Sequence, residues 1–312
     1  METQKLHQKN GQINIVLHSQ QKMNAQEKSM PKQSIANSPF SHIDNAFSSF
    51  VGLEQLKQKV KEVYATIVIN EHRSQSGLSS KKQVLHMLFK GNPGTGKTTV
   101  ARELAKIYYD LKLLSKGHFI EAERADLVGE YIGQTAQKTR NIIQKSLGGI
   151  LFIDEAYSLA RGGEKDFGKE AIDTLVKHME DEHNDFVLIL AGYPYEMDRF
   201  LTLNPGLESR FPFILDFPDY SVDQLMQIAK QMTSERDYQL TKEAQWTLRS
   251  YLYRQANKRA YNFSNARFIR NVVEHAIRNH AVRLMKKQQF STHDLMNLLP
   301  EDLNLEKAQT HF

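Results

Sequence analysis

The 312-residue chain contains no cysteine, so neither a disulfide framework nor a thiolate metal site is available to it. It also lacks any apolar run approaching the ~18 residues needed to cross a bilayer. The first thirty residues are polar and rich in Gln and Lys, without the apolar stretch of a secretory signal. These absences lead us to expect a cytoplasmic protein with no membrane partner. Acids are nearly missing from one segment: residues 249–287 hold ten Lys or Arg and a single acid, Glu274. Such a stretch is either a solvated helix surface or an attractor of phosphate or nucleic acid. No helix-turn-helix, zinc or RNA-recognition signature and no set of stacking aromatics accompanies it, which counts against a nucleic-acid partner. Internal repeats are absent as well.

With 40% hydrophobic residues, the chain can build one large core or two modest ones. Residues 1–46, with few apolar side chains and prolines at Pro31 and Pro39, cannot offset the entropy of ordering and are expected to form a mobile polar extension. After Gly52, Leu53, Leu56, Val60, Val63 and Ile67 recur at helical spacing. Apolar strands and helices then alternate, with strands expected at 84–89, 118–121, 149–154, 186–191 and 213–217. Helices are expected at 97–113, 134–147 and 169–182. The alternation implies an α/β domain over residues 47–218, a parallel sheet flanked by helices on both faces. After Pro218, helices at 222–234, 241–258 and 266–287 follow with no strand signal between them. Residues 219–312 therefore read as a separate all-helical domain.

Gly91-Asn92-Pro93-Gly94-Thr95-Gly96-Lys97-Thr98 satisfies G-x-x-x-x-G-K-[ST] between a predicted strand and a predicted helix, the context this phosphate-binding motif (P-loop) requires. Glycines let successive backbone N–H groups turn toward a phosphate, and the helix that follows adds its positive end. Lys97 supplies a point charge for the β- and γ-phosphates, and the Thr98 hydroxyl is placed to ligand Mg²⁺, with Thr99 next in the same turn. ATP and Mg²⁺ are the expected cofactors. Downstream, the wholly apolar Ile150-Leu151-Phe152-Ile153 ends in Asp154-Glu155. Asp154 is expected to hold the metal, and Glu155 to polarise the attacking water as general base. A nucleotide-gated switch or scaffold needs only the loop, so it is Glu155 that points to turnover.

These motifs, with the phrases FSSFVGLEQLKQ, ADLVGEYIGQTAQKT, GGILFIDEAYSLARGG, VLILAGYPYEMDRFL, NPGLESRFP and SNARFIRN, give a chain that resembles AAA+ ATPases over residues 47–300. Within them it is similar to the group containing red-type Rubisco activase and a sporulation ATPase. The resemblance implies a P-loop α/β module followed by a small helical lid, and self-association into a ring, commonly a hexamer. It also implies ATP-driven remodelling of a protein client, with a role in spore maturation in the mother cell of a sporulating bacterium. A nucleic-acid loader is the competing function.

Several residue roles follow from the resemblance alone. Val51 and Gly52 would lie against the adenine, although Gly52 equally fits a plain helix start. Arg210, in Leu207-Glu208-Ser209-Arg210-Phe211, would be a finger reaching the γ-phosphate of a neighbouring subunit, or else a surface arginine. Arg267, in Ser264-Asn265-Ala266-Arg267, would contact phosphates from the lid, or else belong to the basic helix. Tyr131-Ile132-Gly133 would be a pore loop gripping an extended polypeptide, or else core packing. Residues 161–167 would form a second pore loop. The chain departs from the family where Asn or Thr commonly follows the strand ending near Gly192; Tyr193 carries the hydroxyl there. No Rubisco-specific or sugar-phosphate site is evident.

Overall fold

The computed structural model describes residues 39–79, 83–131, 133–162, 166–183, 185–257, 264–287 and 289–305. The extension up to Ser38, Ile132 of the expected pore loop and residues 163–165 of the second loop lie outside the described residues. Within the α/β domain the order is α1 (Ser41–Ala46), α2 (Glu54–Gln75), β1 (Met87–Gly91), α3 (Lys97–Asp110), β2 (Phe119–Ala122), α4 (Arg124–Leu127) and α5 (Gln134–Ser146). It continues through β3 (Ile150–Ile153), a 3₁₀ turn at Ala156–Ala160, α6 (Gly168–Asp181), β4 (Val187–Gly192), α7 (Pro194–Leu203), a second 3₁₀ turn at Glu208–Arg210 and β5 (Phe213–Phe217).

The five strands form one parallel sheet in the order β2-β3-β4-β1-β5. Side chains alternate faces along each strand. Phe89, Phe152 and Ile189 therefore join α1, α2 and α3 in one core, while Leu88, Leu151, Ile153, Leu188 and Leu190 join α6 and α7 in the other. Burial on both faces explains why β3 and β4 are apolar at every position. Because β1 and β3 both flank β4, the turns leaving their carboxyl ends open onto one edge, where ligands bind open α/β sheets.

The folded body begins earlier than Phe47. α1 lies ahead of it, and Ile43 and Phe47 are both fully buried in the core with α2 and α3. α3 ends at Asp110 and not near 113, because Lys112 adopts a left-handed φ of 58° and Leu113 N–H turns back to Tyr108 O. α7, not foreseen, starts with Pro194 in its first turn, where the missing N–H is harmless.

The helical domain contains α8 (Val222–Ser234), α9 (Lys242–Asn257), α10 (Asn265–Met285) and the short α11 (Thr292–Met296). Leu225, Leu248, Phe268, Ile269 and Val272 are among its buried core residues. It is not strand-free as expected: β6 (Gln239–Leu240) pairs in parallel with β7 (Asn297–Leu298). Two residues per strand are too few for any alternation to be visible in the sequence.

His86, beside β1, is buried against β4 and α6. Its Nδ1 accepts the Leu188 N–H at 3.0 Å, which leaves Nε2–H to donate to Met179 O at 3.3 Å. Burial pushes its pKa down to about 4; the Met179 carbonyl opposes this and nearby His183 adds to it. The folded state thus keeps His86 neutral where the unfolded chain protonates it. Stability from this group is complete above about pH 6.5 and is lost as pH falls toward 4, on the order of 3 kcal/mol in total. Melting temperatures recorded from pH 7 to pH 4 should fall for the parent. His86→Gln should melt lower at pH 7 but fall less steeply, and identical slopes would rule this histidine out as a source.

Candidate active site

Residues 92–96 join the end of β1 to the start of α3, and glycines make the bend possible. Gly94 and Gly96 hold φ of 71° and 97°, a region costly for side-chain-bearing residues. Thr95 Oγ1 closes the turn by donating to Asn92 O at 2.8 Å. Lys97 Nζ donates to Gly91 O at 2.7 Å and Asn92 O at 2.9 Å, which draws the ammonium across the loop. Burial pushes the Lys97 pKa below the ordinary lysine range; Asp154 opposes that shift and Arg267 reinforces it.

At the end of β3, Asp154 Oδ1 accepts the N–H of Glu155 at 2.9 Å. Glu155 itself is left-handed, with φ 45° and ψ 42°, as it enters the 3₁₀ turn. A cleft of about 220 Å³ is lined by Lys97, Thr98, Asp154, Glu155, Tyr193 and Arg267, together with Pro93, Gly94, Gly96 and Thr99. A second, larger cleft shares Asp154, Glu155 and Arg267 and extends to Arg124 and Ser158. Arg124 donates to Ser158 O at 2.6 Å and pairs with Asp166. Asp166 also accepts the N–H groups of Gly162 and Gly168, so both ends of the expected second pore loop are pinned beside Glu155.

Two acids, one lysine, a lid arginine and a helix N-terminus therefore converge from distant parts of the chain. Such a set can bind a polyphosphate, neutralise its charge and hold a water near a carboxylate. Thr98 and Asp154 on the cleft wall are the oxygen donors suited to Mg²⁺, which usually takes one or two protein ligands and completes its shell with phosphate and water. Arg270 was not foreseen from the sequence. It lines the same cleft one turn beyond Arg267, a neighbourhood that i, i+3 spacing on α10 could have suggested.

Other expected residues lie elsewhere. Val51 packs against the helical-domain core, and Gly52, at φ 71°, abuts the Gln224 side chain; neither lines the cleft. Arg210 is also outside both clefts, bonding Glu180 at 2.8 Å through Nε and Gly206 O at 2.5 Å. Tyr131 is 67% exposed, and Gly133 takes φ 83° at the start of α5. Core packing is therefore not what holds Tyr131.

Comparison with known proteins agrees with this arrangement. Residues 87–219 match the model of the ATPase family associated with various cellular activities (AAA), and residues 221–311 match an AAA lid domain. The chain belongs to the AAA ATPase family. It is 57% identical over 306 residues to stage V sporulation protein K of Bacillus subtilis (strain 168), covering 96% of this chain and 95% of that protein. It is 42% identical over 264 residues to the chloroplastic ribulose bisphosphate carboxylase/oxygenase activase of Cyanidioschyzon merolae, covering 84% and 89%. Protein CfxQ of Xanthobacter flavus is 43% identical over 253 residues, covering 80% and 79%. Among solved structures, a point mutant of Thermotoga maritima RuvB shares the fold at TM-score 0.50 and 22% identity, over 79% of this chain and 69% of that one.

In this AAA domain the left-handed Glu155 is a strained position, and strain of this kind costs about 1–3 kcal/mol. Glycine would relieve it while deleting the carboxylate. Glycine's greater freedom in the unfolded chain takes back about 1 kcal/mol of that, so Glu155→Gly should gain about 1 kcal/mol net and raise the melting temperature by roughly 2–4 °C. A melting temperature at or below that of the parent would show that any strain at Glu155 is no larger than glycine's entropic cost.

Proposed function

We propose that this AAA ATPase hydrolyses ATP in the cleft between its two domains and uses the cycle to remodel a protein client. The convergence of Lys97, Asp154, Glu155 and Arg267 on one cleft carries this reading. Gly91–Thr98 hold the polyphosphate, and Lys97 and Arg267 balance its charge. Glu155 takes a proton from the attacking water. When bound by Thr98 and Asp154, Mg²⁺ supplies further charge neutralisation at the phosphates. Glu155→Gln should retain ATP binding and lose about 10²- to 10⁴-fold in turnover. Lys97→Ala should lose binding itself. Phosphate release by Glu155→Gln at the parental rate would exclude this carboxylate as the base.

The similarity to stage V sporulation protein K supports a role in spore maturation, and thereby a cytoplasmic site of action in the mother cell. Among the described residues no helix is long and apolar enough to cross a membrane. The family habit of oligomerising supports ring assembly, for which we take a hexamer. The adenine would then have to extend beyond the phosphate cleft to reach Val51 and Gly52, and in the ring Tyr131, Ile132 and Gly133 would contact the client from the pore. The exposure of Tyr131 suits the latter role.

The position of Arg210 outside its own chain's clefts fits a finger acting in trans. Its loss should cost about 10³-fold in hydrolysis. Titrating Arg210→Ala subunits into the parent should depress activity more steeply than dilution predicts; strictly proportional loss would exclude a shared site.

Nucleic-acid loading is the weaker reading. Four members of the basic segment are already paired: Arg249 with Asp223, Arg278 with Glu274, Arg283 with Asp302, and Lys287 with Asp294. Arg267 and Arg270 face the cleft.

A further inference from the structure

Four consecutive residues of the phosphate loop are held from beyond the sheet. The Asn92 amide donates to both Asp219 carboxylate oxygens at 3.0 Å. Pro93 O accepts from Asn265 Nδ2 at 3.3 Å, Gly94 O from the Ala266 N–H at 3.1 Å, and Thr95 O from the Tyr220 hydroxyl at 3.0 Å. Asn265 is the hub. It is fully buried, its Nδ2 donates also to Asp219 Oδ1 at 2.8 Å, and its Oδ1 accepts the Tyr220 N–H at 3.0 Å. A side chain at Gly94 would collide with Ser264 O and the Arg267 backbone, so loop and lid touch without a gap.

The direction of these bonds matters. In a trans peptide the carbonyl and the following N–H point in opposite directions, and no cis peptide is present among the described residues. Tying the carbonyls of Pro93, Gly94 and Thr95 to the lid side therefore turns the N–H groups of Gly94, Thr95 and Gly96 the other way. Those are the donors with which such a loop cradles phosphate. Asn265 achieves this at a left-handed φ of 47°, a conformation Asn tolerates better than other side-chain-bearing residues. The next residues are then delivered to two tasks at once: Ala266 N–H to the loop and Arg267 to the cleft wall.

We propose that Asn265 is a positioning residue that locks the lid angle to the shape of the phosphate loop. Nucleotide state then reaches the lid through peptide groups as well as through Arg267. Phosphate oxygens drawing on the loop N–H groups polarise those peptides and strengthen their carbonyls as acceptors, so filling the cradle tightens the lid. By reciprocity, a lid pulled open loosens the cradle and weakens nucleotide binding. This inference rests on reading the cleft as the nucleotide site.

The test uses mant-ADP binding and a spin-label distance between Lys177→Cys on α6 and Glu243→Cys on α9, both exposed positions. These would be the only thiols in a chain that has none. In the parent, saturating ADP should shift the distance distribution. Asn265→Gly keeps a backbone free to be left-handed and removes the amide; it should weaken mant-ADP binding about tenfold or more and lose the shift even at saturation. Tyr220→Phe removes one oxygen and keeps the ring; it should weaken binding about fivefold, the equivalent of one hydrogen bond, and it carries both readouts should Asn265→Gly fail to fold. Parental affinity in the variants, a full shift at saturation, or a parent whose distance ignores ADP would each overturn the proposal. Parental mant-ADP binding by Lys97→Ala would instead overturn the assignment of the cleft.

Discussion

A half-buried lysine ammonium at the carboxyl edge of a parallel sheet is the constraint on which the rest of this structure depends. A cation partly withdrawn from water needs compensation close at hand. Lys97 finds it in the carbonyls of Gly91 and Asn92 and in the field of Asp154. The strand order provides that field: β1 and β3 on either side of β4 bring the loop after Gly91 and the acids after Ile153 to one edge, far apart though they are in the chain. β3 and β4, buried on both faces, fix the acids' side of the cleft in the sheet that also carries β1.

Much of this was legible because the governing chemistry is local. The phosphate loop needs glycine where φ turns positive and a helix start immediately after; both requirements fall within one short motif, Gly91 to Thr98. Asp154 and Glu155 could be read because a strand buried on both faces leaves an apolar signature that its acidic end interrupts. The two-domain split followed from the strand signal stopping at Pro218, although two-residue β6 and β7 escaped, being shorter than one alternation period. The sheet's N-terminal helix escaped for another reason. Ile43 and Phe47 are a sparse apolar pair in a polar stretch, and only tertiary packing shows that they enter the core.

What was not legible depends on contacts across domains. Asn265 looks like any polar residue opening a helix, and neither its burial nor its left-handed φ has a local signature. Arg270 is indistinguishable from the other cations of residues 249–287 until α10 is laid against the loop. Composition also misstated that segment's character. Counted along the chain it holds ten cations against one acid, yet Asp223, Asp294 and Asp302 are brought in by neighbouring elements. A charge run is thus a statement about sequence, and only packing decides how much of it faces a partner.

The proposed cycle asks some charges to move and others to stay, and their surroundings divide along that line. Arg210 and Glu180 pair with side chains 32% and 58% exposed. An ion pair of such exposure is worth about 0–1 kcal/mol, so a guanidinium can leave it readily for a more concentrated negative charge. Arg124 and Asp166 differ: Asp166 is only 10% exposed and takes two backbone N–H groups besides the guanidinium. Removing Arg124 would leave a nearly buried carboxylate without its cation, a costlier loss than breaking the exposed pair. Gly162 and Gly168 are therefore tied firmly through Asp166 to Arg124 on the wall of the larger cleft, while Arg210 is held loosely. That is the distribution of stiffness the proposed shared site would call for.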